Sequence, residues 1–130
     1  MIADTSFIID VMNGDHDAIQ KAKLLQPENS PISVTSVSIF ELYVGVGAMN
    51  KREDEVAKIL DIIEGLPIHP LDEISSRGAG MIYTHKKKLG KPIQTEDAMI
   101  AGICKSRDDF LLTRNVKHFA GIDGLSIERY

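Results

Sequence analysis

The sequence predicts a three-layer α/β/α fold around a central, mainly parallel sheet of four to five strands. Two observations predict it. Short apolar or β-branched runs alternate with amphipathic helical stretches along the whole chain. The breaks between them fall on Gly, Pro, Asn and Asp, without long linkers. Crossovers in such a chain are right-handed and place helices on both faces. The 130 residues, 43% hydrophobic and 26% charged, suit one domain over 1–130, long enough for a real core.

The elements follow in order. Met1 to Thr5 reads as a strand ended by Asp4-Thr5-Ser6. Phe7 to Met12 suits a helix closed by Asn13-Gly14, and Asp15 to Leu25 a second one. A loop is expected over 27–31. Ile32 to Thr35 is a short β-branched strand. Ser36 to Met49 reads as a helix carrying Ile39, Phe40, Leu42, Tyr43 and Val46. Gly45 and Gly47 weaken it by roughly 1 kcal/mol each relative to Ala and suggest close approach of another backbone. Glu53 to Glu64 is a helix with Val56, Ile59, Leu60 and Ile63 inward, stopped by Gly65. Leu66 to Leu71 is a strand shortened by Pro67 and Pro70. Asp72 caps a long helix to Leu89, with Ile74, Met81 and Ile82 buried.

Glu96 to Arg107 is the next helix, with Thr95 as its N-cap and Met99, Ile100, Ile103 and Cys104 as its buried stripe. Phe110 to Thr113 is a fourth strand, followed by a short turn to Phe119. Leu125 to Glu128 suits an edge strand. No apolar run reaches membrane-spanning length and no signal-type segment opens the chain, so a cytoplasmic protein is expected. Cys104, the single cysteine, reads as a small core residue. The net charge of −4 argues against nonspecific coating of nucleic acid, though not against a nuclease.

In an open parallel α/β sheet, functional groups collect beyond the carboxyl ends of the strands. Asp4 ends the first strand. Glu41 lies in the helix after the second. Asp97 opens the helix before the fourth, and Asn115 follows the fourth. Each has an innocent reading: Asp4 as a helix cap, Glu41 as the capping-box partner of Ser38, Asn115 as a turn former and Asp97 as a complement to the helix dipole. Together they could converge on one edge. Carboxylates brought together raise one another's pKa, and a divalent cation relieves the repulsion. All-oxygen donors select Mg²⁺ or Mn²⁺ over zinc, and phosphodiester hydrolysis is the natural reaction class.

Four stretches then match a family: Ile2-Ala3-Asp4-Thr5-Ser6, Thr35 to Leu42 with Gly45, Glu96 to Ala101, and Leu112-Thr113-Arg114-Asn115 with Phe119. In this order and spacing, over essentially the whole chain, they resemble the PIN-domain ribonucleases, and within them the VapC toxins of prokaryotic toxin–antitoxin pairs. The resemblance implies a PIN-like fold, Mg²⁺- or Mn²⁺-dependent cleavage of RNA (often tRNA or rRNA), a homodimer, and inhibition by a VapB-type antitoxin whose tail covers the site.

Carried over residue by residue, Asp4, Glu41 and Asp97 match the three core acids and metal ligands. Thr5 or Ser6 and Thr113 match supporting polar positions. The fourth acidic position of many members falls on Asn115. An amide can hold a water but brings no charge, so a single-metal site is the preferred reading. Glu96 could compensate from beside Asp97. Arg114, next to the site, is a candidate for phosphate. His85-Lys86-Lys87-Lys88 is the only basic run and suits the dipole at a helix C-terminus, with RNA phosphate as the other reading. His16, His69, His85 and His118 show no metal-ligand spacing and read as surface or turn residues, with contact to RNA or the partner as the other reading for His85 and His118. Asp10 reads as a surface residue.

Other classes fit less well. A haloacid-dehalogenase-type phosphotransferase needs Asp where Ser6 stands, and a receiver domain finds no suitable Asp and Lys. The main competitor is a non-catalytic module whose acids hold a basic partner segment. DNA as the substrate stays open. Exposed apolar residues of the Ser36–Glu64 helices are expected to make the dimer contact.

Overall fold

Alternation of apolar runs and helices resolves, in the computed structural model, into a sheet sandwiched by helices; residues 1–26 and 31–130 are described. Among them the strands are β1 (Ile2–Ala3), β2 (Val34–Thr35), β3 (Ile68–His69), β4 (Leu111–Leu112) and β5 (Ile127–Glu128). The helices are α1 (Thr5–Met12), α2 (His16–Leu25), α3 (Ser36–Gly47), α4 (Arg52–Ile63), α5 (Glu73–Lys88), α6 (Thr95–Ser106) and α7 (Val116–Phe119).

All pairings are parallel. Ile2 and Ala3 stand opposite Leu111 and Leu112, which in turn face Ile127 and Glu128. Val34 and Thr35 pair with Ile68 and His69, and a bridge from Ile2 to Ser33 joins this pair to β1. The order across the sheet is therefore β3-β2-β1-β4-β5, with β5 at the expected edge. The chain moves outward from β1 to β3, then returns to the other side of β1. The reversal lies between β1 and β4.

Successive residues of a strand point to opposite faces. Ile2 and Leu111 pack with Val37, Ile82, Ile100, Ile103 and Phe119 on one face. Ala3, Val34 and Leu112 pack with Phe7, Ile8, Leu42, Val46 and Ile59 on the other. Helices α5, α6 and α7 thus cover one face, and α1, α2, α3 and α4 chiefly the other. This is the three-layer arrangement expected from the sequence.

Several expectations need correction. Each strand holds only two paired residues. The Ile68 of β3 is exposed. Helix α1 starts two residues earlier than expected, since Asp4 caps it by accepting from Thr5 N–H at 2.8 Å. Thr95 is not an N-cap but the first helical residue of α6; extended Gln94 holds the cap position without a side-chain bond. Ser38 and Glu41 form no capping box, because Thr35 caps α3 by accepting from Ser38 N–H. Asp72 does cap α5, in a reciprocal bond with Ser75.

Apolar residues on two faces of a helix defeat periodicity as a guide to burial. On α3, Phe40 is 60% exposed and Tyr43 also faces out. On α4, Ile59, Val56 and Ile63 face the core as expected, but Leu60 is exposed and Ile62 is half-buried in its place. On α5, Ile74 and Met81 are exposed, and the buried line is Ser75, Ala79, Ile82 and Lys86. Helix α6 is buried almost all round, from Ala98 through Ile100, Ala101, Gly102 and Ile103 to Cys104. Burial pushes the Cys104 thiol up to about 12, which makes it an inert core group. The expected loop at 27–31 lies, except for Pro31, outside the described residues.

The close backbone approach expected at Gly45 and Gly47 occurs elsewhere. Among the described residues nothing stands within 4 Å of a Cβ placed on either. At Gly102, however, a Cβ would meet Ser75 O at 2.6 Å and Ala79 N at 2.8 Å. The missing side chain lets α5 lie directly against α6. Gly102→Ala is expected to cost about 2–3 kcal/mol by overpacking. Gly80→Ala, on the open side of α5, should gain up to about 1 kcal/mol from helix propensity. Urea unfolding midpoints check both; an unshifted Gly102→Ala midpoint would contradict the close contact.

Candidate active site

The backbone ladder ends at the first functional candidate. Asp4 N–H donates to Leu112 O at 2.9 Å, the last rung between β1 and β4, and Thr113 N–H donates to Glu128 O at 3.0 Å. Asp4 and Thr113 therefore sit side by side at the carboxyl edge, where the strand order reverses. Crevices of this kind are where open α/β sheets bind ligands.

Asp4 is only 4% exposed. Its Oδ2 accepts from Thr113 Oγ1 at 2.7 Å and Ser6 Oγ at 3.0 Å. With the Thr5 N–H bond to Oδ1, three donors fix this carboxylate. Thr113 is fully buried, and its Oγ1 also accepts from Asn115 N–H at 3.0 Å. One hydroxyl thus joins β1, β4 and the turn into α7. Thr5 Oγ1 donates to Glu41 Oε1 at 2.7 Å, which ties α1 to α3. The expected supporting residues Thr5, Ser6 and Thr113 all touch a predicted acid.

Asp97 comes from the first turn of α6, and its Oδ2 lies 3.2 Å from His118 Nδ1. Burial raises the carboxyl pKa of Glu41, and the charges of Asp4, Asp97 and Glu96 raise it further against the lowering bond from Thr5. Burial also raises that of Asp97, with Asp4 and Glu96 adding to it and His118 opposing. The four acids share one electrostatic field. Among the described residues, no three His, Cys, Asp or Glu side chains form a ready cation cage.

Asn115 is the N-cap residue of α7 and makes no side-chain capping bond. Arg114 turns to a separate network. Its guanidinium lies 2.7 Å from Asp10 and 3.2 Å from Asp15, and over the ring of Tyr130. Tyr130 OH donates to Asp10 Oδ2 at 2.7 Å, and its ring meets Phe7 edge-on. Asp10, expected as a plain surface residue, is the shared acceptor. The sequence offers His118 as a surface or turn residue, or as a contact to RNA or a partner, and does not single out Tyr130. Each reaches the site's surroundings from far along the chain, and neither carries a local signal.

Acids from three segments thus stand at one edge of a 3-2-1-4-5 parallel sheet. The profile of the PIN domain matches residues 1–125. The chain belongs to the PIN-domain family. Ribonuclease VapC3 of Methanocaldococcus jannaschii is 35% identical over 102 residues, covering 78% of this PIN chain and 95% of the relative. The tRNA(fMet)-specific endonuclease VapC of Shigella flexneri is 27% identical over 95 residues, 73% and 72% of the two chains. The crystal structure of DNA-bound VapBC from Salmonella typhimurium matches with a TM-score of 0.88 at 25% identity, over 98% of this chain and 96% of that one. The PIN chain is thus of the VapC kind, as its four sequence landmarks implied.

The raised Glu41 pKa predicts a stability signature. In both folded and unfolded protein Glu41 is protonated at acid pH, so its burial then costs little. As pH rises from the unfolded pKa, about 4.3, through the raised folded value, ionisation costs the folded state progressively more. Glu41→Gln keeps an acceptor for Thr5 and removes the charge. In EDTA it should stabilise the protein by about 1 kcal/mol at pH 7, a rise in Tm of roughly 3–6 °C, with the gain vanishing near pH 3.5. Thermal melts across pH check this; an equal effect at both ends would contradict the charge account.

Proposed function

We propose that this chain is a VapC-type toxin, an endoribonuclease that hydrolyses RNA phosphodiester bonds with Mg²⁺ or Mn²⁺ and is restrained by a VapB-type antitoxin. The observation that carries the reading is the meeting of Asp4, Glu41 and Asp97, from three separate elements, in one field of mutual repulsion. Folding brings like charges together at a cost in stability, which is the usual mark of a site kept for function. A surface for a basic partner segment would not need acids from such distant segments.

The donor set fits a hard divalent cation. Every candidate ligand is a carboxylate oxygen, and the nearby hydroxyls of Thr5, Ser6 and Thr113 are already used to hold the carboxylates. Asp4, Glu41 and Asp97 would hold the ion. When bound, such an ion supplies Lewis-acid stabilisation of charge on the phosphate and lowers the pKa of water. Asp4, locked by three donors, provides the fixed point. Asn115 orients the attacking water, with its backbone anchored to Thr113. Glu96 adds negative charge to the same field, which suits one ion despite the missing fourth acid.

The name of the Shigella relative supports tRNA as the substrate class, and VapBC complexes among the solved structures support the antitoxin partner. An RNA-cleaving toxin acts in the cytoplasm, and no described helix is long and apolar enough to cross a membrane. Phe40, Tyr43 and Val44 on α3, with Leu60 on α4, support a homodimer contact on that face.

Incubation of antitoxin-free protein with bulk tRNA and rRNA tests the reading. Cleavage is expected with Mn²⁺, none with EDTA, and a loss to background in Asp97→Asn. Cleavage that survives in Asp97→Asn would remove Asp97 from the chemistry. No cleavage together with no Mn²⁺ binding would transfer the site to the interaction-module reading.

A further inference from the structure

Beside Asp97 lies a groove of about 590 Å³, within the range of ligand-sized clefts. Its walls include Lys86, Lys91, Gln94, Lys117 and His118. In a chain of net charge −4, this is a local concentration of positive groups, and it runs up to one of the site's acids.

Lys86 is the unusual member. It is 5% exposed, on the buried line of α5 that otherwise consists of Ser75, Ala79 and Ile82. Its Nζ donates to Ala120 O at 2.6 Å, just past the end of α7. An ammonium has three donors, and that carbonyl satisfies one. Among the described residues no carboxylate pairs with it, although six other ion pairs of an ammonium or guanidinium form. A buried cation without a counter-ion is costly unless an anion completes it.

The neighbouring charges are placed by the fold. Gly90, at φ +70°, turns the chain sharply after α5. Lys91 N–H then donates to Lys86 O at 3.0 Å, which fixes Lys91 beside the buried lysine. Helix α7 brings Lys117 and His118 to the opposite wall, with His118 against Asp97.

We infer that this groove is a phosphate subsite for the RNA strand, with the Lys86 ammonium as its anchor and Lys91 and Lys117 as its flanking contacts. It would hold a backbone phosphate of a nucleotide next to the one being cut, and so set the path of the strand past Asp97. The inference rests on the ribonuclease reading for the identity of the anion. It also revises the expected role of the basic run: Lys86 faces the groove, while His85, Lys87 and Lys88 remain exposed.

The test measures binding of a fluorescently labelled single-stranded RNA to the full chain in EDTA, over a range of salt. Lys91→Gln with Lys117→Gln should weaken binding about tenfold and reduce the log–log salt slope by about 1.4, near 0.7 for each phosphate that is no longer neutralised. Lys87→Gln with Lys88→Gln should change binding less than twofold. Lys86→Met, with folding checked by thermal melt, should also weaken binding. An unchanged affinity and slope in the Lys91/Lys117 pair, or an equal loss in the Lys87/Lys88 pair, would overturn the subsite. So would groove-dependent binding of poly-glutamate but not RNA, which would mark an acidic protein segment as the occupant. Cleavage with Mn²⁺ is followed in parallel. Cleavage by the wild type with unaffected binding in the variants overturns the subsite alone. Groove-dependent RNA binding without any cleavage overturns the ribonuclease reading and keeps the subsite.

Discussion

At the point where the strand order reverses, the Thr113 hydroxyl donates to the Asp4 carboxylate at 2.7 Å. The two residues are neighbours only because β1 and β4 are paired, although 109 positions separate them in sequence. The same hydroxyl receives the Asn115 N–H, so the entry to α7 is fixed by the same atom. Through α7, His118 is set against Asp97 and the Ala120 carbonyl against Lys86. The acidic edge and the basic groove are thus both positioned from one bond at the end of a short ladder.

Helix α6 supplies the other constraint. It is buried almost all round, which fixes its axis and the direction of its first turn. Gly102 brings α5 into direct contact with it, and α5 carries Lys86. The absence of a side chain deep in a helix interface thus affects where two charged groups of opposite sign are held. Asp97 and Lys86, on two helices in direct contact, line one groove.

The layer order, the parallel sheet and the edge position of β5 were legible in the sequence, because alternation of elements survives errors in their ends. That the charges of Asp4, Glu41 and Asp97 act on one another was legible from their places along the chain: Asp4 just beyond β1, Glu41 inside the helix after β2, and Asp97 in the first turn of the helix before β4. Which face of a helix is buried was less legible. Phe40, Ile74 and Met81 look like core residues by type, and only tertiary packing leaves them outside. Gly45 and Gly102 are indistinguishable as letters, although Ala98, Ala101 and Gly102 together carry the small-residue spacing of a close helix contact. Lys86 was hidden within a run of four basic residues. Its place four positions after buried Ile82 was the only local hint. The His118–Asp97 and Arg114–Asp10 pairs had none, since each depends on contacts between distant segments.

The central claim is that three acids from distant segments form one cation site. Calorimetric titration of Mn²⁺ into the wild type and into Asp4→Asn, Glu41→Gln and Asp97→Asn, each singly, tests it most directly. The account predicts one ion bound by the wild type and at least about tenfold weaker binding in every variant. Binding that stays unchanged in any two of the three would contradict a shared site.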